Sequence, residues 1–324
     1  MATSLLDLDL VFVTGKGGVG KTTIAAALAE VAAASGRRTL VCEMDAKGAL
    51  ATAFDVGNFG FKPTEVAPGL HAMTMSTEES LREYLRLFVK IPLLARIGPL
   101  ASTFDFVADA APGVKEILAI GKLAYEVRER NYDFVVVDAE ASGHVVSQIA
   151  APKVIADLVK VGLVRDQTQW MLDILENPER TGVVVATTAE EMPVVETIEL
   201  LDGLAADTGT ACAAVVANRV LPAVYNRNEL TILERLDEVI DDLVELAGPG
   251  VRGVVDAASL VERRRSSGVS HLDCLRRHLD GSGIEMFSVS ELFARSHGHR
   301  VVTQVAEQLA DELGAEKHDE KDDR

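Results

Sequence analysis

The order of apolar segments in this 324-residue chain predicts an α/β protein: a doubly wound, mostly parallel sheet with helical insertions. Three features lead there. Short apolar runs recur along the chain, they are continuous rather than alternating, and helical periodicity fills the spaces between them. Continuous apolar runs suit parallel strands covered by helices on both faces.

Leu8–Val13 is the first such run and reads as a strand. A glycine-rich turn follows, then the alanine-rich segment Ile24–Ala34, which is helical and is stopped by Gly36. Thr39–Cys42 is the next strand. The alternation returns with apolar runs at Phe134–Val137, Val183–Ala186 and Ala213–Ala217, and more weakly at Ile284–Val289. Between residues 76 and 130 no strand is evident. Glu79–Phe88 and Val114–Leu123 have helical spacing, broken by Pro92, Pro99 and Pro112, so this stretch reads as a helical insertion. A second insertion is expected at about 152–178. Two arrangements are open for these helices: a subdomain on one edge of the sheet, or a simple cover over it. Residues 1–315 form one expected domain; in residues 316–324 every side chain is charged or titratable, which predicts a disordered acidic tail.

Lys and Arg total 32 against 50 Asp and Glu, a net charge of −18, and the sequence pI is about 4.8. That sign excludes a generally basic, phosphate-binding surface, so no nucleic-acid partner is expected. Hydrophobic residues make up 48% of the chain, enough to bury a sizeable core. No apolar stretch approaches the roughly 18 to 20 residues that cross a bilayer, and the first residues lack the pattern of a secretory signal. A cytoplasmic protein with no direct membrane insertion is expected. Cys42, Cys212 and Cys274 are far apart and include no CxxC pair, which predicts three buried reduced thiols rather than a disulfide or zinc site.

The first strand runs into Gly15-Lys-Gly-Gly-Val-Gly-Lys-Thr22, a complete GxxxxGK[ST] phosphate loop of the P-loop NTPase type. Gly15, Gly17, Gly18 and Gly20 let the backbone turn its N–H groups inward as a nest for phosphate oxygens, with Lys16 and Val19 between them, at the N-terminus of a helix. Lys21 is expected to reach the β- and γ-phosphates of ATP, and the Thr22 hydroxyl to ligate Mg²⁺. In a doubly wound sheet, ligands lie outside the carboxyl ends of the strands. Asp45 and Asp138 both follow such ends, so Asp138 is expected to support Mg²⁺ through water, and Asp45 to orient or deprotonate the attacking water beside the metal.

Lys16, directly after the first glycine, makes the loop the KGGxGK[ST] variant found in dimeric ATPases such as the MinD, ParA, nitrogenase-iron-protein and arsenite-pump groups. The resemblance implies dimerisation, with Lys16 reaching the nucleotide of the facing subunit as an arginine finger does. Further marks narrow it. Val13–Thr23, Ala111–Ile117, Asp138 with Gly143-His144, and Glu191-Met-Pro-Val-Val-Glu-Thr197 together resemble the arsenite-pump (ArsA) and tail-anchored-protein-targeting ATPase family, and in particular its short actinobacterial anion-transporting members, in which two related subunits work as a pair. Within that resemblance Thr23 belongs to the nucleotide site, Asn218 matches the residue that hydrogen-bonds adenine, and Phe287-Ser-Val-Ser-Glu291 loosely matches a loop that packs over the base.

Both switch segments depart from the family pattern. Where Asp-Pro-Ala-His is usual, this chain has Asp45-Ala-Lys-Gly48; where Asp-Thr-Ala-Pro-Thr-Gly-His is usual, it has Asp138-Ala-Glu-Ala-Ser-Gly-His144. Glu140 has no counterpart role. The expected protein is a Mg²⁺–ATP-dependent dimeric switch, a homodimer or a heterodimer with a paralogous ATPase, acting on a protein client. Tyr84, Leu85, Leu87, Phe88, Leu93 and Leu94 are candidates for an apolar client groove. The alternatives are a MinD- or ParA-like positioning switch and a low-turnover regulatory subunit. Arsenite transport is not expected, because a soft trivalent ion needs clustered thiolates.

Overall fold

The computed structural model describes residues 4–89, 113–159, 161–293 and 298–315. Among them an eight-stranded sheet runs through the molecule: β1 (Leu10–Gly15), β2 (Thr39–Glu43), β3 (Thr64–Ala67), β4 (Leu70–Thr74), β5 (Phe134–Asp138), β6 (Thr181–Thr188), β7 (Cys212–Val220) and β8 (Glu285–Ser290). Its order is β3-β4-β2-β5-β1-β6-β7-β8, and every pairing is parallel except β3 with β4. The doubly wound α/β expectation is met. All residues of β1, β2, β5 and β6 are buried, which is why their sequences read as unbroken apolar runs.

The hairpin β3–β4 was not anticipated. β3 is a short, largely exposed edge strand, and in β4 His71 interrupts the apolar spacing, so neither carries the signal of a buried strand. One consequence is that the strand ending in Asp138 is the fifth in the chain.

Helices cover both faces. On one, α1 (Lys21–Ala34) lies against the sheet through Ala25, Ala26, Ala27 and Ala29, whose small side chains permit close approach and are fully buried. It ends in a Schellman turn: Gly36 at φ +87° donates to the Ala33 carbonyl and Arg37 to that of Ala32. The short α2 (Ala49–Ala53) and the final described helix pack on the same side, and the latter, His299–Leu313, sets Val302, Val305 and Leu309 into the core with Ile24 and Leu28.

The opposite face is covered by α4 (Val114–Arg128), α5 (Ser142–Leu158), α6 (Leu163–Leu175), α7 (Glu191–Asp207) and α10 (Gly250–Leu279), which bury Leu123, Ile149, Met171, Leu201 and Leu275 against the sheet. α5 begins at Ser142, ahead of the second expected insertion, and runs through Pro152 without a break. Helix α3 (Thr77–Tyr84) continues into a π-helical turn, Leu85–Val89. It is joined to α4 by Lys122, which pairs with Glu83 at 2.8 Å and Glu126 at 2.5 Å and lies over the ring of Phe61. The groove candidates Leu93 and Leu94, the motif residues Ala111 and Pro112, and the tail 316–324 lie outside the described residues. Helices α8 (Arg227–Arg235) and α9 (Ile240–Ala247) lead into α10, and the helix His299–Leu313 is α11.

Leu309 is completely buried between α11 and α1, so Leu309→Ala should lower unfolding free energy by about 2–5 kcal/mol through lost burial and the cavity left behind. Urea denaturation followed by circular dichroism would show it as a lower midpoint, whereas Leu246→Ala, at an exposed position, should shift stability by about 0.5 kcal/mol or less.

Candidate functional site

The sheet reverses direction of growth at β1, between β5 and β6, and the phosphate loop leaves the carboxyl end of that strand. Gly15 has φ +142°, and a Cβ there would stand 2.1 Å from the Ala186 carbonyl oxygen. Gly20 has φ +97°, and a Cβ there would stand 2.3 Å from Asn218 Nδ2. Both positions therefore require glycine for space as well as conformation. Lys21, Thr22 and Thr23 open α1, and Val19 is buried.

Lys21 Nζ donates to the Lys16 carbonyl at 3.3 Å. Burial lowers the pKa of its ammonium; Asp138 and Asp45 oppose that shift, and the nearby charge of Lys47 adds to it. The Thr22 hydroxyl donates to Asp138 Oδ2 at 2.7 Å, joining the start of α1 to the end of β5. Burial pushes the Asp138 carboxyl up to about 6, against the pull of the Thr22 hydrogen bond and the Lys21 charge. The carboxylates of Glu43 and Asp45 push the same way as burial.

This arrangement suits a hard cation held together with a triphosphate. Among the described residues no group of three His, Cys, Asp or Glu side chains could hold a metal ion unaided. Thr22 and Asp138 offer two oxygen sites, and Mg²⁺ bound there would take its remaining ligands from phosphate oxygens and water. Glu43 is buried beside them; its Oε1 accepts from the Ala49 amide at 2.8 Å, while Oε2 has no hydrogen-bond partner. Asp45 sits at the carboxyl end of β2 with an exposed side chain, paired with Lys47.

Three contacts were not legible in the motif. Lys16 folds back onto Glu196 of its own α7. Asn218 is buried at the end of β7, donates through Nδ2 to the Val19 carbonyl at 2.8 Å, and accepts from the Arg219 amide through Oδ1 at 3.0 Å. Arg219, at φ +56°, donates from its guanidinium to the Gly18 carbonyl at 2.7 Å. Arg219 is marked by a left-handed backbone at the irregularity near the end of β7, which sequence does not display. A cavity of about 360 Å³ adjoins it, lined also by Glu190, Arg264, Arg265 and His271.

Two expectations need correction. Phe287–Ser290 is not a loop: it forms most of the edge strand β8, paired to β7 because the spacing of Phe287 and Val289 puts both into the core. Of the three thiols Cys42 is buried in β2 and Cys212 opens β7 with its pKa pushed up to about 12 by burial, but Cys274 is exposed on α10. Its neighbours Leu272 and Leu275 take the inward face of that helix instead.

A family model described as anion-transporting ATPase matches residues 8–171, half of the chain, and this match spans the phosphate loop, Asp45 and Asp138. The chain belongs to that family. It is 32% identical over 237 residues to ATPase BagA of Mycobacterium tuberculosis, covering 70% of this chain and 69% of the relative. It is 26% identical over 239 residues to a putative arsenical pump-driving ATPase of Halobacterium salinarum, covering 67% of this chain and 36% of that longer protein. Over 150 residues it is 29% identical to ATPase ASNA1 homolog 1 of Paramecium tetraurelia, covering 45% and 44% of the two chains. The protein is accordingly an ATPase of the ArsA type. No described helix is long and apolar enough to cross a membrane.

Two outcomes test this ATPase's geometry. Asn218→Ala removes the outward tether of the phosphate loop and should weaken ATP binding about tenfold, the worth of one buried hydrogen bond, with the circular dichroism spectrum unchanged. Asp138 holds a proton in the folded chain that the unfolded chain has already shed, so metal-free protein should lose about 3 kcal/mol of stability as pH rises from the usual 3.8 through about 6. Denaturation in chelator across that window should show the loss, and Asp138→Asn should flatten it.

Proposed function

We propose that this ATPase is a Mg²⁺–ATP-driven conformational switch, whose association with a second copy of itself or with a paralogous ATPase changes through the hydrolytic cycle and is read by a protein client. The hydrogen bond from Thr22 to Asp138 carries the reading, because a hydroxyl suited to ligate Mg²⁺ lies beside a carboxylate suited to support it, next to the phosphate loop. Bound Mg²⁺ would neutralise phosphate charge and polarise the γ-phosphoryl group.

Lys21 balances charge on the β- and γ-phosphates, and the loop amides orient the chain of phosphates. Asp45 accepts a hydrogen bond from a water molecule and aims it at the γ-phosphorus. As the water oxygen bonds to phosphorus, the bond to the bridging β-oxygen breaks, its electron pair stays with ADP, and the water proton leaves through Asp45. The products are ADP, inorganic phosphate and a proton. Asn218 retains one amide hydrogen and one lone pair beyond its two internal bonds, enough to meet an adenine edge.

Association across the nucleotide is supported by the place where Lys16 rests. Glu196, its partner, is partly exposed on α7, where Met192 and Val195 also leave large apolar surface to solvent. A facing subunit would cover these side chains and offer Lys16 a phosphate in exchange for Glu196. A positioning switch of the MinD type is less well supported: α11 spends its apolar face on α1, leaving none for a membrane surface. The pairing of Asp45 with Lys47 favours a second reading, a low-turnover regulatory subunit.

Light scattering of Asp45→Asn protein decides between these. The variant should bind Mg²⁺–ATP without hydrolysing it, double its mass only with that nucleotide, and fail to do so when Lys16→Ala is added. An unchanged monomer that doubles only with a paralogue added would make the switch heterodimeric. No mass change with any partner would refute the switch. Lys21→Ala should lower hydrolysis by a factor of about 10² to 10³, the cost of removing one preorganised transition-state contact.

A further inference from the structure

The departures in the two switch segments are complementary in charge: Lys47 stands in the first and Glu140 in the second. Both are placed at the site. Lys47 precedes Gly48, whose φ of +74° starts α2 and makes residues 45–48 a tight turn over the end of β2. The Lys47 ammonium pairs with Asp45 Oδ2, and the negative charges of Glu140 and Glu43 reinforce the attraction. Its charge also lowers the pKa of Lys21, the lysine that closes the phosphate loop. Glu140 is fixed from both sides. Its carbonyl accepts from the Thr14 hydroxyl at 2.9 Å, and its carboxylate accepts from Gln148 at 3.0 Å.

Four carboxylates, Glu43, Asp45, Asp138 and Glu140, therefore surround a site that must accept a highly anionic nucleotide. Lys21 is half-buried and bound to the loop, and Lys16 is held by Glu196. Lys47, with three quarters of its side chain exposed, is the cation at this site with room to pivot. While it remains on Asp45, that carboxylate has a counter-ion instead of a water molecule. A γ-phosphate brings more charge than Asp45 and can take the ammonium from it.

We propose that Lys47 senses the γ-phosphate: it holds Asp45 in the nucleotide-free chain and transfers to ATP, with Glu140 steadying the relocated ammonium, so that Asp45 is released to water only when a triphosphate is bound. This rests on the reading of Asp45 as the water-orienting residue. ADP lacks the group that draws Lys47 away and leaves Asp45 blocked. The first switch is thereby coupled to the identity of the nucleotide by a charge that the usual Asp-Pro-Ala-His segment does not carry.

The test compares binding of Mg²⁺–ADP and of a Mg²⁺-bound non-hydrolysable ATP analogue by calorimetry, for the unchanged protein and for Lys47→Ala, Lys47→Arg and Glu140→Gln. Lys47→Ala should weaken the triphosphate about tenfold and change ADP affinity less than twofold, and Lys47→Arg should restore most of the preference. Glu140→Gln should reduce the preference in the unchanged background and have no effect once Lys47 is alanine. Equal loss of both nucleotides, or an unaltered triphosphate preference in Lys47→Ala, would overturn the sensor while leaving the ATPase reading intact. Absence of binding to the unchanged protein would overturn both.

Discussion

The phosphate loop depends on where its own carbonyls are sent. A nest of inward N–H groups forms only if the oxygens of the same peptides are satisfied outward, since a buried backbone carbonyl without a partner costs about as much as a lost hydrogen bond. Here the Val19 carbonyl is taken by Asn218, that of Gly18 by Arg219, and that of Lys16 by Lys21. Two of those donors come from β7, two strands away from β1 in the sheet. The loop is thus shaped by the strand order, and the strand order by helices on both faces. Glycine at positions 15 and 20 is the local counterpart of that long-range constraint.

A second theme is how the site manages acid. Burying Asp138 and Glu43 at strand ends is unfavourable in isolation, and the raised pKa of Asp138 reflects it. The chain offsets this with lysines in different settings: one half-buried and tied to the loop, one in the loop and paired with a glutamate of a neighbouring helix, one exposed beside Asp45. A nucleotide and cation entering there would meet charges that are largely paired, so binding would rearrange pairs more than create them. Rearranged pairs are the natural material of a switch, because each has two defined arrangements.

Much of this was legible in the sequence, for a physical reason. Residues 15–23 are contiguous, so their chemistry is local and a motif captures it, and the buried parallel strands announce themselves as unbroken apolar runs such as Phe134–Val137. The β3–β4 hairpin was illegible because an exposed edge strand needs no apolar pattern. The partners of Lys16 and Asn218 were illegible for a different reason. Glu196 lies 180 residues from Lys16 and Val19 lies 199 from Asn218, so only the assembled sheet brings them together. Lys47 could be seen as a departure from the family pattern, but its meaning appears only when its ammonium is found on Asp45.

The Lys122 bridge bears on how this chain tolerates change. Glu83 and Lys122 flank the residues numbered 90–112, and the ammonium sits nearly buried between carboxylates of α3 and α4. The bridge joins the two described helices directly. An ammonium held nearly buried between two carboxylates tolerates the loss of neither kind of partner, because the group left behind is a charge without a counter-ion. The junction of α3 with α4 is therefore intolerant of single changes at Glu83, Lys122 and Glu126, and can be rebuilt only by replacing these residues together.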